Sequence, residues 1–556
     1  MISYVADFET TVPKTDEPNP QTRVWAWGTC EVGNVENFQH GTSIDDFFGW
    51  CRKENKIVYF HNLKFDGAFI LYWLLTHGFT YSETKENNTF NTIISNVGQF
   101  YEIEVIFEKK NKKYKKVTFH DSLKKLPFPV SKIAKDFKLP IQKLDIDYTL
   151  ERPEGYQLTP EEIEYLKNDV QIVAWALGIQ FEQGLTKMTI GADALKGFKD
   201  IFGKRNFERC FPVFPLNIHN DVKQAYKGGF TFLSKRYAEK DIGKGIVFDV
   251  NSLYPSVLYN RPMPIGIPLF FKGQYEYDEE YPLYVQQITC EFTLKKGHIP
   301  TIQIKGGRFV ETEYLEESGL EPVTMILTNV DLELFFEHYD VEVHEYINGW
   351  KFMSSTGLFK DYIDHWTRIK EENSLEKNAL YILAKLMLNS LYGKFGKNPD
   401  VTGKYPVLEG GRLKFKLKDE ELTDPIYMPI ATFVTSWARY TTITTAQKVY
   451  HRFIYADTDS IHLEGEEVPE NIEVHNSRLG AWKHEGNFTR ARFLRAKTYV
   501  EEIQGDLHVT CAGMPDNVKK KVTWENFKKG NSFTGKLLPK QITGGVVLED
   551  TEFTLK

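Results

Sequence analysis

Asp457 and Asp459 stand two positions apart, with apolar runs on either side, Phe453–Ala456 before them and Ile461–Leu463 after. In extended geometry both carboxylates point to one side of the chain, so the segment reads as strand, tight turn, strand. Asp249 closes another apolar stretch, Gly245–Val250, far upstream. A fold that uses these carboxylates together must bring distant parts of the chain to one point. Taken alone, Asp-Thr-Asp-Ser is also good turn chemistry, and Asp249 is also a plain strand-to-loop exit.

A second acidic set lies nearer the N-terminus. Asp7-Phe8-Glu9 ends a strand-like stretch that begins at Ile2, Asp66 follows Asn62-Leu63-Lys64-Phe65, and Asp169 closes Tyr165-Leu166-Lys167-Asn168. Thr159-Pro160-Glu161-Glu162 is a helix start, with a Thr cap, Pro at the first position and Glu completing a capping box. Behind it Ile163, Leu166, Val170, Val173, Leu177 and Phe181 recur at helical spacing. Tyr165 and Asp169, four apart, are expected on a face turned away from that stripe and free for chemistry. Each acidic set could hold a pair of metal ions, which steady the attacking and leaving oxygens of phosphoryl transfer. Mg²⁺ suits such sites, being a hard ion held by one or two carboxylates plus substrate phosphates.

The chain of 556 residues is long enough for roughly three to five structural units. Aromatics make up 14%, which serves large cores and also offers stacking platforms for unpaired bases. A net charge of −7 argues against a nucleic-acid partner unless charge is segregated. Between Asp516 and Lys540 seven lysines face two acids, an excess that could track a phosphate backbone or simply form a solvated face. The five scattered cysteines contain no C-x-x-C pair, so a disulfide framework or zinc knuckle is not expected and a reducing compartment fits. The first residues lack a basic region followed by an apolar one, and no apolar run reaches the ~18 residues of a membrane span. A soluble, cytoplasmic protein is expected.

Residues 1–188 alternate strand-like and helix-like patterns, an α/β unit with strands at Ile2–Phe8 and Ile57–His61. Arg261 to Thr356 is strand-rich with Pro and Gly breaks and reads as an insertion, Gly357 to Gly396 is helical, and Asn398 to Pro425 is hairpin-like. In the helical part Lys385, Asn389 and Tyr392 share a face at i, i+4 and i+7. A lysine there could neutralise charge growing on a leaving pyrophosphate; it could equally be a surface lysine on an amphipathic helix. After Asp249, the turn Asn251-Ser252-Leu253-Tyr254-Pro255 offers backbone N–H groups that could cradle phosphates, with Tyr254 packed under a sugar. Lys497-Thr498-Tyr499, with Arg492 and Arg495 upstream, mixes cations with an aromatic.

These pieces resemble the family B DNA polymerases. Asp249 with Ser252-Leu253-Tyr254-Pro255, Lys385 with Asn389-Ser390-Leu391-Tyr392-Gly393, and Tyr455-Ala456-Asp457-Thr458-Asp459-Ser460 match the family's three polymerase motifs in order. Asp7-Phe8-Glu9, Asn62 to Asp66 and Tyr165 to Asp169 match its three exonuclease motifs. The likeness runs end to end and is strongest to the phi29-type, protein-primed phage polymerases. It includes Tyr59-Phe60-His61-Asn62, Ser122-Leu123-Lys124-Lys125-Leu126-Pro127, Gly357-Leu358-Phe359-Lys360-Asp361, Tyr226-Lys227-Gly228-Gly229, and Thr435 with Arg439. Ala456 replaces a glycine common in cellular relatives, the stretch after Tyr499 is short, and no C-terminal cysteine cluster is present.

The resemblance implies an α/β and α+β multidomain fold. An RNase H-like 3′–5′ exonuclease domain (1–188) would precede a right hand built from palm (189–260 and 425–511), fingers (359–397) and thumb (512–556). Insertions at 261–358 and 398–424 would dock a terminal protein and confer processivity with strand displacement. Two Mg²⁺ per site, replaceable by Mn²⁺, would be held by Asp249, Val250, Asp457 and Asp459, and by Asp7, Glu9, Asp66 and Asp169. Tyr165 and Lys143 would assist hydrolysis. Tyr254, Lys385, Asn389, Tyr392 and Val250 would meet the incoming nucleotide. Asn62, Phe65, Ser122, Leu123, Tyr226, Gly228, Gly229, Thr435, Arg439, Arg495, Lys497 and Tyr499 would contact DNA. The implied partners are template, primer, dNTPs and a terminal protein, for a monomer without membrane attachment. A family B polymerase using ordinary primers, and a non-catalytic DNA-binding scaffold, are the rival readings.

Overall fold

The protein is described by a computed structural model covering residues 1–13, 19–148, 150–303 and 314–556; part of the 261–358 insertion thus lies outside the described residues. The β-rich stretch at the N-terminus becomes strand Ile2–Thr10, paired parallel with Lys56–Phe60 and antiparallel with Val24–Glu31. It lies inside an eight-stranded sheet ordered Asn34–Gly41, Val24–Glu31, Ile2–Thr10, Lys56–Phe60, Lys113–Asp121, Phe100–Lys110, Thr89–Ile94, Thr80–Tyr81. Strand Lys56–Phe60 leads through Asn62, at φ 78°, into helix Leu63–Thr76, which carries Asp66. The sharp left-handed turn places that carboxylate beside the end of the central strand.

Helix Pro160–Glu182 starts at the expected capping box, with both reciprocal bonds between Thr159 and Glu162 in place. Leu166, Val170, Val173 and Leu177 pack into the core. On its other side Tyr165 is 2% and Asp169 5% exposed, and both line a cavity. That face closes an interior cavity instead of meeting bulk water, and the helix is buried nearly all round.

A second, five-stranded sheet runs Trp482–Phe488, Gly245–Val250, Ser460–Glu464, Phe453–Asp457, Thr231–Leu233. Helix Met428–Lys448 covers it, buried along most of its length. The strand-rich insertion forms a four-stranded sheet (Met263–Lys272, Tyr339–Ser355, Leu283–Leu294, Val323–Thr328) with helix Asn329–His338 against it. Helices Lys360–Glu372 and Ala379–Ser390 pack as a pair, and Lys404–Glu409 with Arg412–Leu417 make the hairpin read from the Gly/Pro punctuation. Arg490–Arg495, Thr498–Ile503 and Asp506–Cys511 build a further sheet, and the chain ends in the long hairpin Ser532–Ile542/Gly545–Thr554.

The N-terminal unit is tied to the rest by Lys125, whose Nζ lies 2.5 Å from Asp193 and 2.9 Å from the carbonyls of Leu185 and Lys187. Both side chains are essentially inaccessible, at 0% and 1%. Removing one partner strands a buried charge, which costs about 3–5 kcal/mol, whereas replacing both by apolar groups is far milder. Asp193→Ala should therefore lower the melting temperature sharply, and Lys125→Met/Asp193→Leu should recover most of the loss; thermal denaturation of the three proteins compares them.

Candidate active sites

The N-terminal acidic residues line one cavity of about 630 Å³, together with His61, Asn62, Phe65, Lys143, Tyr148 and Tyr165. Asp7 and Glu9 come from the central strand, Asp66 from the following helix, and Asp169 from the capped helix. Burial, then the neighbouring Asp169, lifts the Asp7 carboxyl from 3.8 to about 7. Burial and mutual repulsion likewise hold Glu9 and Asp66 well above the carboxylate range. One oxygen each of Asp66 and Asp169 is buried without a hydrogen-bond partner. Such a set is starved of positive charge. Lys143 supplies some, pairing with Asp169 and lying 3.3 Å from the Tyr165 hydroxyl, which is 2.7 Å from that of Tyr148. A wall of the cavity comes from the opposite end of the chain: Leu537, Val547 and Leu548 of the C-terminal hairpin.

Ser122 does not reach this cavity's surface. It is fully buried, donates to the Phe60 carbonyl at 3.1 Å and sits 3.0 Å from His61 Nδ1. It braces the cavity wall, as does Asp121, which accepts from the N–H groups of Asn62, Leu63 and Leu123 at 3.0–3.3 Å. Leu123 is half-buried, and Asn62 is exposed.

The second acidic set meets at the five-stranded sheet. Asp249 is paired with Ser460, and the Val250 N–H donates to the Asp459 carbonyl at 2.7 Å. Asp249, Val250 and Asp459 line a cavity of about 490 Å³ with Tyr254, Lys370, Lys385, Asn389, Tyr392, Lys483 and Glu485. Lys385 and Asn389 of helix Ala379–Ser390 and Tyr392, which opens the short helix Tyr392–Phe395, do converge here. Burial, then Asp459 and Glu485, raises the Asp249 carboxyl to about 7, and Asp459 is raised by burial and by Asp457. Tyr254 and Tyr392 stack at 4.1 Å between centroids, 25° apart. Burial, then Tyr392, raises the Tyr226 hydroxyl above its ordinary range. The turn after Asp249 is less open than its sequence suggests, because the Asn251 N–H is spent on the Ala481 carbonyl.

Asp457 stands off that cavity. Its carboxylate is held by Lys497 Nζ at 2.9 Å and Thr231 Oγ1 at 3.1 Å. Lys497, at φ 56°, also donates its backbone N–H to the Tyr455 hydroxyl, and Tyr499 stacks on Phe493 at 4.6 Å. Among the described residues, no three His, Cys, Asp or Glu side chains form a ready-made metal cage. Lysines occupy part of each acidic set, and ions that share their coordination with substrate phosphates need few protein ligands.

Two residues expected at DNA lie in the interior. Arg439, 1% exposed, forms a two-pronged pair with Asp331 (3.1 and 2.6 Å) and donates to the carbonyls of Lys227 and Gly228. Thr435, also 1% exposed, donates back to its own helix. With its donors used internally, Arg439 is an organiser of the Tyr226–Gly229 loop rather than a surface contact. Arg495 donates to the carbonyl of Lys556. Sequence reasoning missed Tyr148, Lys370, Lys483, Glu485 and the hairpin leucines. Only three-dimensional folding brings these to the cavities.

With both cavities described, comparison with known proteins decides the family. A model of "DNA polymerase type B, organellar and viral" matches residues 50–477. The chain belongs to that family. It is 54% identical to the DNA polymerase of Bacillus phage M2, over 100% of this chain and 99% of the relative. Against the DNA polymerase of Bacillus phage phi29 the identity is 53% over the same shares. The solved structure of phi29 DNA polymerase with primer-template DNA superposes with a TM-score of 0.95 at 52% identity, covering 100% of both chains. This type B protein is a DNA-directed DNA polymerase with the multidomain architecture of the phi29 enzyme.

Gly229 packs against the turn between the two aspartates. A Cβ there would lie 2.6 Å from Thr458 Oγ1. Thr458, at φ 60°, cannot retreat, since its N–H and carbonyl are fastened at 2.6 Å to Phe230 and to the Thr442 hydroxyl. Gly229→Ala should displace Asp457 and Asp459 and slow primer extension by about 10–100-fold, with little change in melting temperature; a rate within twofold of the parent would contradict the packing argument.

The pH dependence follows from the raised carboxyls. Between the ordinary value of 3.8 and about 7, the native state holds protons on Asp7 and Asp249 that the unfolded chain has lost. Stability therefore falls as pH rises through that window. A cation bound by the ionised carboxylates offsets the loss. Millimolar Mg²⁺ should raise the melting temperature at about pH 8 and hardly at all at about pH 5; equal shifts at both would refute the link.

Proposed function

We propose that the enzyme is a protein-primed, processive, strand-displacing polymerase that proofreads with its own 3′–5′ exonuclease, each activity depending on Mg²⁺. The observation that carries the reading is the presence of two separate cavities lined by carboxylates with raised proton affinity in one type B polymerase chain. Asp249 and Asp459 would hold ions at one, with Val250 alongside and Asp457 joining from its pairing with Lys497. Asp7, Glu9, Asp66 and Asp169 would hold them at the other. Bound there, divalent ions supply Lewis-acid stabilisation of attacking and leaving oxygens.

The chain's own residues do the remaining work. The solved structures of phi29 DNA polymerase with primer-template DNA and incoming nucleotides support DNA and dNTPs as partners here. The stacked Tyr254 and Tyr392 form a floor for the nucleotide, Asn389 borders it, and Lys385 neutralises charge on departing pyrophosphate. Lys497 and Tyr499 steady the primer end, with the Gly228–Gly229 loop alongside. At the other cavity, Asn62 and Phe65 seat a frayed 3′ end, Tyr165 orients the attacking water, and Lys143 keeps that hydroxyl in place. An unpaired end enters more easily than a paired one, so mismatches are removed preferentially. The insertion at 261–358 would dock the terminal protein, and the hairpin of 398–424 would close around DNA. We infer a monomer acting in the host cytoplasm; among the described residues no helix is long and apolar enough to cross a membrane.

Asp249→Ala or Asp459→Ala should abolish nucleotide addition and leave degradation of single-stranded DNA intact, while Asp7→Ala/Asp66→Ala should extend primers and fail to trim a mismatched end. Loss of both activities in either variant would contradict separate sites. Initiation on a terminal-protein hydroxyl without an oligonucleotide, and product longer than a circular template without helper proteins, test priming and displacement; failure of both would reduce the enzyme to an ordinary-primer polymerase.

A further inference from the structure

The nucleotide cavity holds two more cations than the polymerase motifs supply. Its lining includes three lysines, Lys370, Lys385 and Lys483, against the three acids Asp249, Asp459 and Glu485. Lys370 and Lys385 sit on the paired helices. Lys483 comes from strand Trp482–Phe488, where it lies directly opposite Asp249. Cross-strand partners in an antiparallel pair project to one face, so the Lys483 ammonium is carried on the side of the sheet that bears the Asp249 carboxylate.

The strand is also shaped at this point. Its register with Gly245–Val250 shifts between Val247 and Phe248, which face Gly486 and His484 and leave Glu485 as the extra residue of a bulge. Bulges beside active sites re-aim side chains. Here the bulge turns Glu485 into the cavity, and its Oε1 takes Lys483 Nζ at 2.6 Å. Lys483 and Glu485 keep 38% and 44% of their side chains exposed. A pair that open to water contributes little to stability, so parting it costs little. A polyphosphate offers the ammonium several charged oxygens in a more enclosed place, where charge-assisted hydrogen bonds are stronger.

We propose that Lys483 is a third phosphate-binding cation of this cavity, drawn from Glu485 to the incoming triphosphate and returning to it as pyrophosphate departs. The inference rests on the cavity being the nucleotide site. With substrate absent, Glu485 holds the ammonium away from Asp249. With substrate present, the three lysines together oppose the polyphosphate's charge, and Glu485 is released toward solvent.

Steady-state incorporation and pyrophosphorolysis, with inorganic pyrophosphate as the probe, test this in the full-length enzyme. Lys483→Met should raise the KM for dNTP and the half-saturating pyrophosphate by about five- to tenfold each, with kcat held within about twofold. Lys483→Arg should restore both, and degradation of single-stranded DNA should not change. The KM–kcat split separates phosphate binding from a general loss of folded enzyme. Should Lys483→Met leave both constants unmoved while Lys385→Met raises them, Lys483 is an ordinary surface ion pair and the inference falls alone. Should neither variant move them, the cavity is not the nucleotide site and the reading beneath it falls as well.

Discussion

Repulsion among buried carboxylates organises this molecule. Asp7, Glu9, Asp66 and Asp169 are pressed into one cavity, and Asp249 and Asp459 into another, with burial and neighbouring acids lifting their affinity for protons. Crowded carboxylates withdrawn from water are costly, and here Glu9, Asp66 and Asp169 are buried and Asp7, Asp249 and Asp459 half-buried, which a fold optimised only for stability would not assemble. Lysines relieve part of the strain: Lys143 at Asp169 and Lys497 at Asp457. Lys143 is half-buried and Lys497 exposed, and each ties an acidic set to a residue expected to handle substrate. Such a cluster, unfavourable for stability, is the kind of preorganised charge that phosphoryl transfer uses.

Rigid elements hold these groups against their repulsion. Asp249 sits inside a ladder with strands on both sides, and the Asp457–Asp459 turn is clamped through Thr458 to Phe230 and Thr442. Behind the turn, Arg439 joins helix Met428–Lys448 to the insertion through Asp331 and to the Tyr226–Gly229 loop through two carbonyls. One buried guanidinium thus touches three parts of the chain. Its geometry suits a residue that transmits position rather than one that meets a ligand.

Much of this was legible from the residues. The apolar opening strand, the capped helix with its 3.6-residue stripe, the helical character of 357–396 and the Gly/Pro-punctuated hairpin within 398–425 were all legible, because each is decided by local burial, capping and turn chemistry. The acidic residues were legible only in combination, since each alone also reads as turn chemistry or a strand exit and the ordered set of motifs is what singles them out. The burial of Arg439 was not legible for a plain reason: a basic side chain reads as exposed unless its partner is known, and Asp331 lies over a hundred positions away. The burial of Ser122 was hidden likewise, its hydroxyl being spent on Phe60 and His61. Lys483 and Glu485 carry no local signal, since only the register opposite Asp249 gives them meaning.

The C-terminal hairpin shows the same limit and adds a consequence. Its lysine-rich approach suggested a phosphate-tracking surface, yet several of those lysines are engaged within the protein: Lys519 with Asp516, Lys521 with Thr534, Lys529 with Glu239 and Lys540 with Glu549. What the hairpin presents to the N-terminal cavity is apolar, through Leu537, Val547 and Leu548. Thr22 donates its N–H to Thr543, and Gly545 abuts Phe69 so closely that a Cβ would lie 2.4 Å from the ring. The last segment of the chain is thereby docked on the first domain. An apolar wall excludes water from one side of the acidic cavity and strengthens every charge interaction inside it. The segment that follows the polymerase strands is thus the segment that completes the wall of the N-terminal cavity.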